Sequence, residues 1–98
     1  MSDESVTISR HEAENSGEYH AHVAGSDAIG RLTWVTRDSA RDAEHTLVPE
    51  AIGGRGVAGV LVKALIEDAR AQGFKVIPTC TYVAAQFRRH PDWADLLA

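Results

Sequence analysis

Val48-Pro49-Glu50-Ala51-Ile52-Gly53-Gly54-Arg55-Gly56-Val57-Ala58-Gly59 is the stretch on which the reading of this chain turns. Four of its twelve residues are glycine, and a long apolar-periodic segment begins inside it. An extended run, Glu44-His45-Thr46-Leu47-Val48, comes just before. A strand, a glycine turn and a helix N-terminus in that order make an anion site. The glycines let backbone approach a phosphate, and the first helical N–H groups have no partner inside the helix.

Downstream, from Gly56 to Gln72, the apolar residues Val57, Leu61, Ala64, Leu65 and Ala69 recur at three- and four-residue spacings. That period predicts an amphipathic helix with Glu67, Asp68 and Arg70 outside. Gly73 stands at its expected end. Phe74 to Ile77 reads as a fifth strand stopped by Pro78, residues 82–90 as a shorter helix broken by Pro91, and 92–97 as a final turn. Upstream, alternation predicts strands over 5–10, 18–24, 28–37 and 43–48. Polar 11–17 closes on a Ser-Gly turn, 25–27 is a hairpin turn, and 37–42 is a polar connection. The fold class is α+β. A four-strand antiparallel meander leads into a βαβ unit whose strands four and five are parallel, then a C-terminal helix.

The 98 residues make one domain. With 44% apolar and 24% charged residues the chain has an ordinary globular composition. A net charge of −4 with scattered basic residues predicts no nucleic-acid binding. The single cysteine, Cys80, allows no internal disulfide and fits a reducing compartment. The polar, acidic start Met-Ser-Asp-Glu-Ser lacks signal-peptide character, and no apolar run nears the ~18–20 residues of a membrane span. The expectation is a cytoplasmic domain without membrane contact. Oligomeric state is not legible. His20 and His22 share a strand face but have no third ligand at suitable spacing, so they read as solvated and no metal is expected.

The string Gly54-x-Gly56-x-x-Gly59 matches the dinucleotide fingerprint literally, but its context fails. That motif needs a doubly wound parallel sheet and an acid about 20 residues on, where this chain has Thr79 and Cys80. A phosphate-binding Gly-Lys-Ser/Thr never occurs. The stretch instead resembles the acyl-CoA-binding motif of the GNAT N-acetyltransferase superfamily, Arg/Gln-x-x-Gly-x-Gly/Ala, with Gly56 and Ala58 matching and Gly53 in the place of Arg/Gln. The likeness extends to a compact subfamily through His45-Thr46-Leu47-Val48-Pro49, Lys75-Val76-Ile77-Pro78-Thr79-Cys80 and Arg88-Arg89-His90-Pro91. Leu47 replaces a residue that is usually acidic there.

The resemblance implies acetyl-CoA as co-substrate and an unidentified amine as acceptor. The backbone of Gly53, Gly54, Arg55, Gly56, Val57, Ala58 and Gly59 would cradle the pyrophosphate, with Arg55 able to supply the contact that Gly53 lacks. Strand four would splay from strand five, letting the pantetheine amides pair with main chain near Leu47 and Val48. Cys80 would lie by the thioester, as acyl-accepting nucleophile, as a thiol near the CoA sulfur, or as a buried strand-closing residue. His45 would be a general base or a hydrogen-bonded strand histidine. Tyr82 opens the helix from which many relatives protonate the leaving thiolate, and Gln86 stands where some carry that tyrosine. Two functions follow: an N-acetyltransferase, or a module that binds acyl-CoA without turnover. A third, an interaction domain with a vestigial loop, predicts no CoA binding.

Overall fold

The structure, a computed structural model, describes residues 6–98; the predicted strand start at Ser5 and the acidic N-terminus fall outside that range. Five strands lie in sequence order, β1 (Val6–Glu12), β2 (Ser16–Val23), β3 (Ile29–Arg37), β4 (Ala40–Leu47) and β5 (Val76–Ile77). The first four pair antiparallel and β4–β5 pair parallel, with helix α1 (Val57–Gln72) between them in sequence. Helix α2 (Thr81–Arg89) and a 3-10 segment (Pro91–Leu96) follow, and Leu97 then bridges Val76. The α+β expectation holds in element order and pairing.

Alternation along the strands chooses the faces. Tyr19, Ala21 and Val23 on β2 and Leu32 and Trp34 on β3 are buried under Val57, Leu61, Leu65 and Ala69 of α1. Residues directly opposite in a ladder share a face, so the row Thr33, His45, Glu18 and His11 points the other way. No helix covers that second face among the described residues. Gly73, at φ +81°, ends α1 in the left-handed region with its N–H on the Ala69 carbonyl at 2.8 Å.

Two local predictions are corrected. The Ser16-Gly17 pair is not a turn. The bend is at Ala13–Asn15, and Gly17 lies inside β2, where a Cβ would collide with the Trp34 indole. Residues 40–42 are not a polar connection either. The hairpin is only Asp38-Ser39, at φ +51° and +72°, the backbone of a two-residue turn matched to strand twist. β4 therefore starts at Ala40 and buries Arg41 and Asp42. Their charges are tolerated because they are paired. Arg37 Nε donates to Asp42 Oδ2 at 2.7 Å, and Arg41 lies between the Trp34 and Phe74 rings, 3.9 and 4.2 Å from their centroids.

Candidate functional site

The register of β3 against β4 shifts between Thr33 and Trp34, which pair with His45 and Ala43, leaving Glu44 as the extra residue of a bulge. Beside it the parallel pairing to β5 stops after Arg41↔Val76 and Asp42↔Ile77. Pro78 has no N–H with which to extend the ladder, and the chain instead turns so that the Cys80 N–H donates to the Ala43 carbonyl at 2.8 Å. Among the described residues, β4 thus has a strand on one side only from Glu44 to Leu47.

That open edge leads straight into the glycine stretch. Pro49 begins a 3-10 turn, Glu50–Ile52, anchored by the fully buried Ile52. Gly53, Gly54, Arg55 and Gly56 are exposed. Gly54 and Gly56 sit at φ +75° and +74°, a region costly to any residue with a Cβ, and no atom lies within 4 Å of where a Cβ would be. Gly56 caps α1 without any side-chain hydrogen bond, so no side chain competes for the helix's first N–H groups. Val57 is buried, Ala58 and Gly59 half-buried, Val48 half-buried, and Leu47 is an exposed apolar residue at the strand's end. A free strand edge, a left-handed glycine loop and an uncapped helix start together suit an extended amide-bearing chain that ends in phosphates.

The two candidate reactive residues lie on opposite sides of β4. Thr46 shares the helix-side face with Leu32, and its hydroxyl contacts Cys80 Sγ at 3.4 Å. His45 is exposed on the uncovered face opposite Thr33. No hydrogen bond joins Cys80 to His45 among the described residues; the thiol's partner is Thr46, which sequence reading missed. The Thr-x-x-Pro spacing carried no sign of it, because the contact spans 34 residues.

Burial works to raise the Cys80 pKa. The Thr46 hydroxyl and the N–H groups of Val83 and Tyr82 at the start of α2 outweigh it, holding the thiol below its ordinary value. Those N–H groups face the sulfur without forming a cap hydrogen bond. Thr46→Val removes the hydroxyl at nearly constant volume. The rate of iodoacetamide labelling, read against pH on this single-cysteine chain, is expected to move its midpoint upward in that variant.

Tyr82 reaches back so that its hydroxyl would lie 3.6 Å from a Cβ on Gly59, at the first turn of α1. His20 and His22 each have a side-chain hydrogen-bond partner. His20 Nε2 lies 2.7 Å from Glu18 Oε1, and Ser9 Oγ links His22 and His11 at 2.8 and 2.9 Å. Among the described residues no three His, Cys, Asp or Glu side chains are placed to hold a metal ion. No helix there is long and apolar enough to cross a membrane.

A family model described as GCN5-related N-acetyl-transferase matches residues 18–96. The chain is 36% identical over 50 residues to the protein NATD1 of Xenopus tropicalis and to that of Gallus gallus, covering 51% of this chain and 46% of each relative. The human protein NATD1 gives the same identity over the same length, with 44% of it covered. The matching stretch thus spans about half of each protein.

Proposed function

The chain belongs to the GCN5-related N-acetyltransferase family, and from that premise we propose that it binds acetyl-CoA along β4 and the glycine loop and transfers the acyl group to an amine. The carrying observation is the continuity of the free β4 edge with two left-handed glycines and an uncapped helix start. Main chain near Leu47 and Val48 would pair with the pantetheine amides. The N–H groups of Gly54 to Gly59 would hold the pyrophosphate, with Arg55 exposed beside them, while the Gly53 N–H is taken by the Glu50 carbonyl at 3.0 Å. Acetyl-CoA supplies a thioester carbon open to attack by an amine.

His45 accepts the acceptor's proton from the uncovered face, where a hollow of about 580 Å³ lined in part by Glu44, Thr33 and Glu18 adjoins the bulge. Cys80 stands across the strand with Thr46. Because Cys80 and His45 are not paired, the arrangement favours direct transfer, with Cys80 beside the departing sulfur, over acylation of Cys80 activated by His45. A free thiol of this kind suits a reducing, cytoplasmic setting.

The rival, acyl-CoA binding without turnover, is favoured by one observation: among the described residues, no helix covers the face carrying His45 to wall an acceptor in. Thermal unfolding with acetyl-CoA, CoA, NAD and ATP tests the cofactor. A ligand at 100 times its dissociation constant stabilises by roughly 2.7 kcal/mol, so both CoA forms are expected to raise Tm by several degrees and NAD is not. No shift with either CoA form would sink the reading. Turnover of an amine panel then separates enzyme from binding module.

A further inference from the structure

On the sheet face that carries His45, two hollows flank that residue. The hollow already described lies on the side of Glu44 and Glu18. A second, of about 560 Å³, lies on the side of Arg31 and Leu47, and Asp27, Ile29, Val48 and Pro49 complete its wall. Its volume lies in the range of small-molecule sites.

Register fixes the arrangement. Ile29 and Arg31 alternate onto the same face as Thr33, Arg31 pairs directly with Leu47, and Thr33 pairs directly with His45. Arg31 is therefore the diagonal neighbour of His45, a two-residue step of about 7 Å along the strand. Leu47 is 59% exposed although it is apolar, and with half-buried Ile29 and Val48 it makes this wall mainly hydrocarbon. The Leu47 main chain belongs to the free β4 edge, while its side chain stands on the face.

Charge differs on the two sides of His45. Glu44 is half-buried with no ion pair among the described residues, and Glu18, in the row of Thr33 and His45, is held by His20 Nε2 at 2.7 Å. Arg31 is exposed and has no ion pair among the described residues, although Asp27 lines the same hollow. A guanidinium left free in this way presents a planar fork for a carboxylate. The face thus runs from carboxylates through an imidazole to a guanidinium beside hydrocarbon.

We infer that the acceptor is a small zwitterion, an apolar α-amino acid. Its amine sits at His45 on the Glu44 side, its carboxylate on Arg31, and its side chain over Leu47 and Ile29. The inference rests on the acyltransfer reading above and adds the class of acceptor to it. Charge complementarity carries it. A polyamine would set a cation against Arg31, and an uncharged amine would leave that guanidinium without a partner. The Arg31 stem is flexible enough to cover the difference between the strand step and the shorter span of an amino acid. In the transfer the neutral amine bonds to the acyl carbon as the C–S bond breaks. The proton it sheds passes to His45, and the CoA thiolate leaves with the bonding pair.

The test is turnover of acetyl-CoA with leucine, leucinamide and spermidine, read as acetylated product by mass spectrometry. Leucinamide keeps the amine and the side chain but lacks the carboxylate. Wild type is expected to favour leucine over leucinamide by about tenfold in kcat/KM, the size of one charge-assisted contact, and to use spermidine less well than leucine. Arg31→Gln is expected to lose the preference for leucine through a raised KM, with unliganded Tm unchanged because Arg31 is exposed and unpaired among the described residues. Leucinamide or spermidine used as well as leucine, or a preference that survives Arg31→Gln, would overturn the inference and leave the acyltransferase reading standing. Should no amine be acetylated, calorimetric titration of leucine in the presence of CoA decides. Leucine binding that weakens in Arg31→Gln keeps the hollow as an amino-acid site and sinks transfer alone. Absence of leucine binding overturns the inference as well.

Discussion

Gly56→Val is expected to abolish most of the stabilisation that CoA gives while leaving the fold in place. Gly56 holds φ +74° at the cap of α1, where a residue with a Cβ costs about 1–2 kcal/mol and a β-branched one more. Its surroundings are empty, so the cost is backbone strain and not collision. The chain has two ways to relieve it, and both act on the ligand. Either the loop relaxes and its N–H groups turn away from the phosphates, or it holds and the isopropyl group occupies the space where they approach. A tenfold loss of affinity removes about 1.4 kcal/mol, half of the ligand stabilisation at 100 times the dissociation constant, and a larger loss removes nearly all of it. Gly25→Val is the matched control. Gly25 sits at φ +82° in the β2–β3 turn, also in open space, so it carries comparable strain away from the loop. It is expected to lower the unliganded Tm similarly and keep the full CoA shift. A full shift in Gly56→Val would show that the loop does not hold the cofactor.

Asp68→Ala is expected to destabilise the protein by about 3 kcal/mol, the cost of leaving the buried Tyr19 hydroxyl without its acceptor and the half-exposed Arg10 without its partner. At 4–8 °C per kcal/mol for a domain of this size, Tm should fall by more than ten degrees, measured by calorimetry. Asp68 is 8% exposed on the inward side of α1. It accepts from Arg10 Nε and Nη2 at 2.8 and 3.1 Å and from the Tyr19 hydroxyl at 2.8 Å, and that hydroxyl accepts in turn from Arg41 Nη1 at 2.9 Å. Truncation would leave a buried tyrosine without an acceptor and the Arg10 guanidinium without its counter-charge, while Arg41 keeps Glu12 at 3.6 Å.

The same network gives a pH dependence. Burial opposes ionisation of Asp68, but the hydrogen bonds from Arg10 and Tyr19 and the charges of Arg10 and Arg41 outweigh it, so its pKa lies below the ordinary aspartate value. The unfolded chain therefore takes up this proton first as pH falls. The stabilisation is complete at neutral pH, begins to fade near pH 4 and is lost below the folded pKa. In Asp68→Asn the loss of stability between about pH 4 and pH 2 should be shallower than in wild type. An unchanged acid limb would mean that other carboxylates carry it.

Asp68 also marks how far sequence reasoning reached. Periodicity placed it outside α1, because a lone acid at the edge of an apolar stripe looks solvated. Its partners are 49 and 58 residues away, and no local rule sees them. Arg41 and Asp42 were read as loop for the same reason: charge argues for exposure until a partner is known. The Ser16-Gly17 pair failed differently. Glycine is needed there because the Trp34 indole crosses the backbone, and turn chemistry cannot be told from close approach in one dimension.

The sequence by itself determined the order of elements, the helix and its glycine stop, and the glycine loop with the family it signals. Each of these is written in residues adjacent or a few positions apart, through dihedral preference and hydrophobic period. Only the tertiary structure decided that β4 runs free past Ala43, that Cys80 pairs with Thr46 while His45 faces the other side, and that a cleft leads from Gly59 to His90 and Trp93. Those facts depend on strand register and on which side chain meets which across tens of residues. A one-residue difference in register, such as the Glu44 bulge supplies, moves a side chain to the opposite face of the sheet.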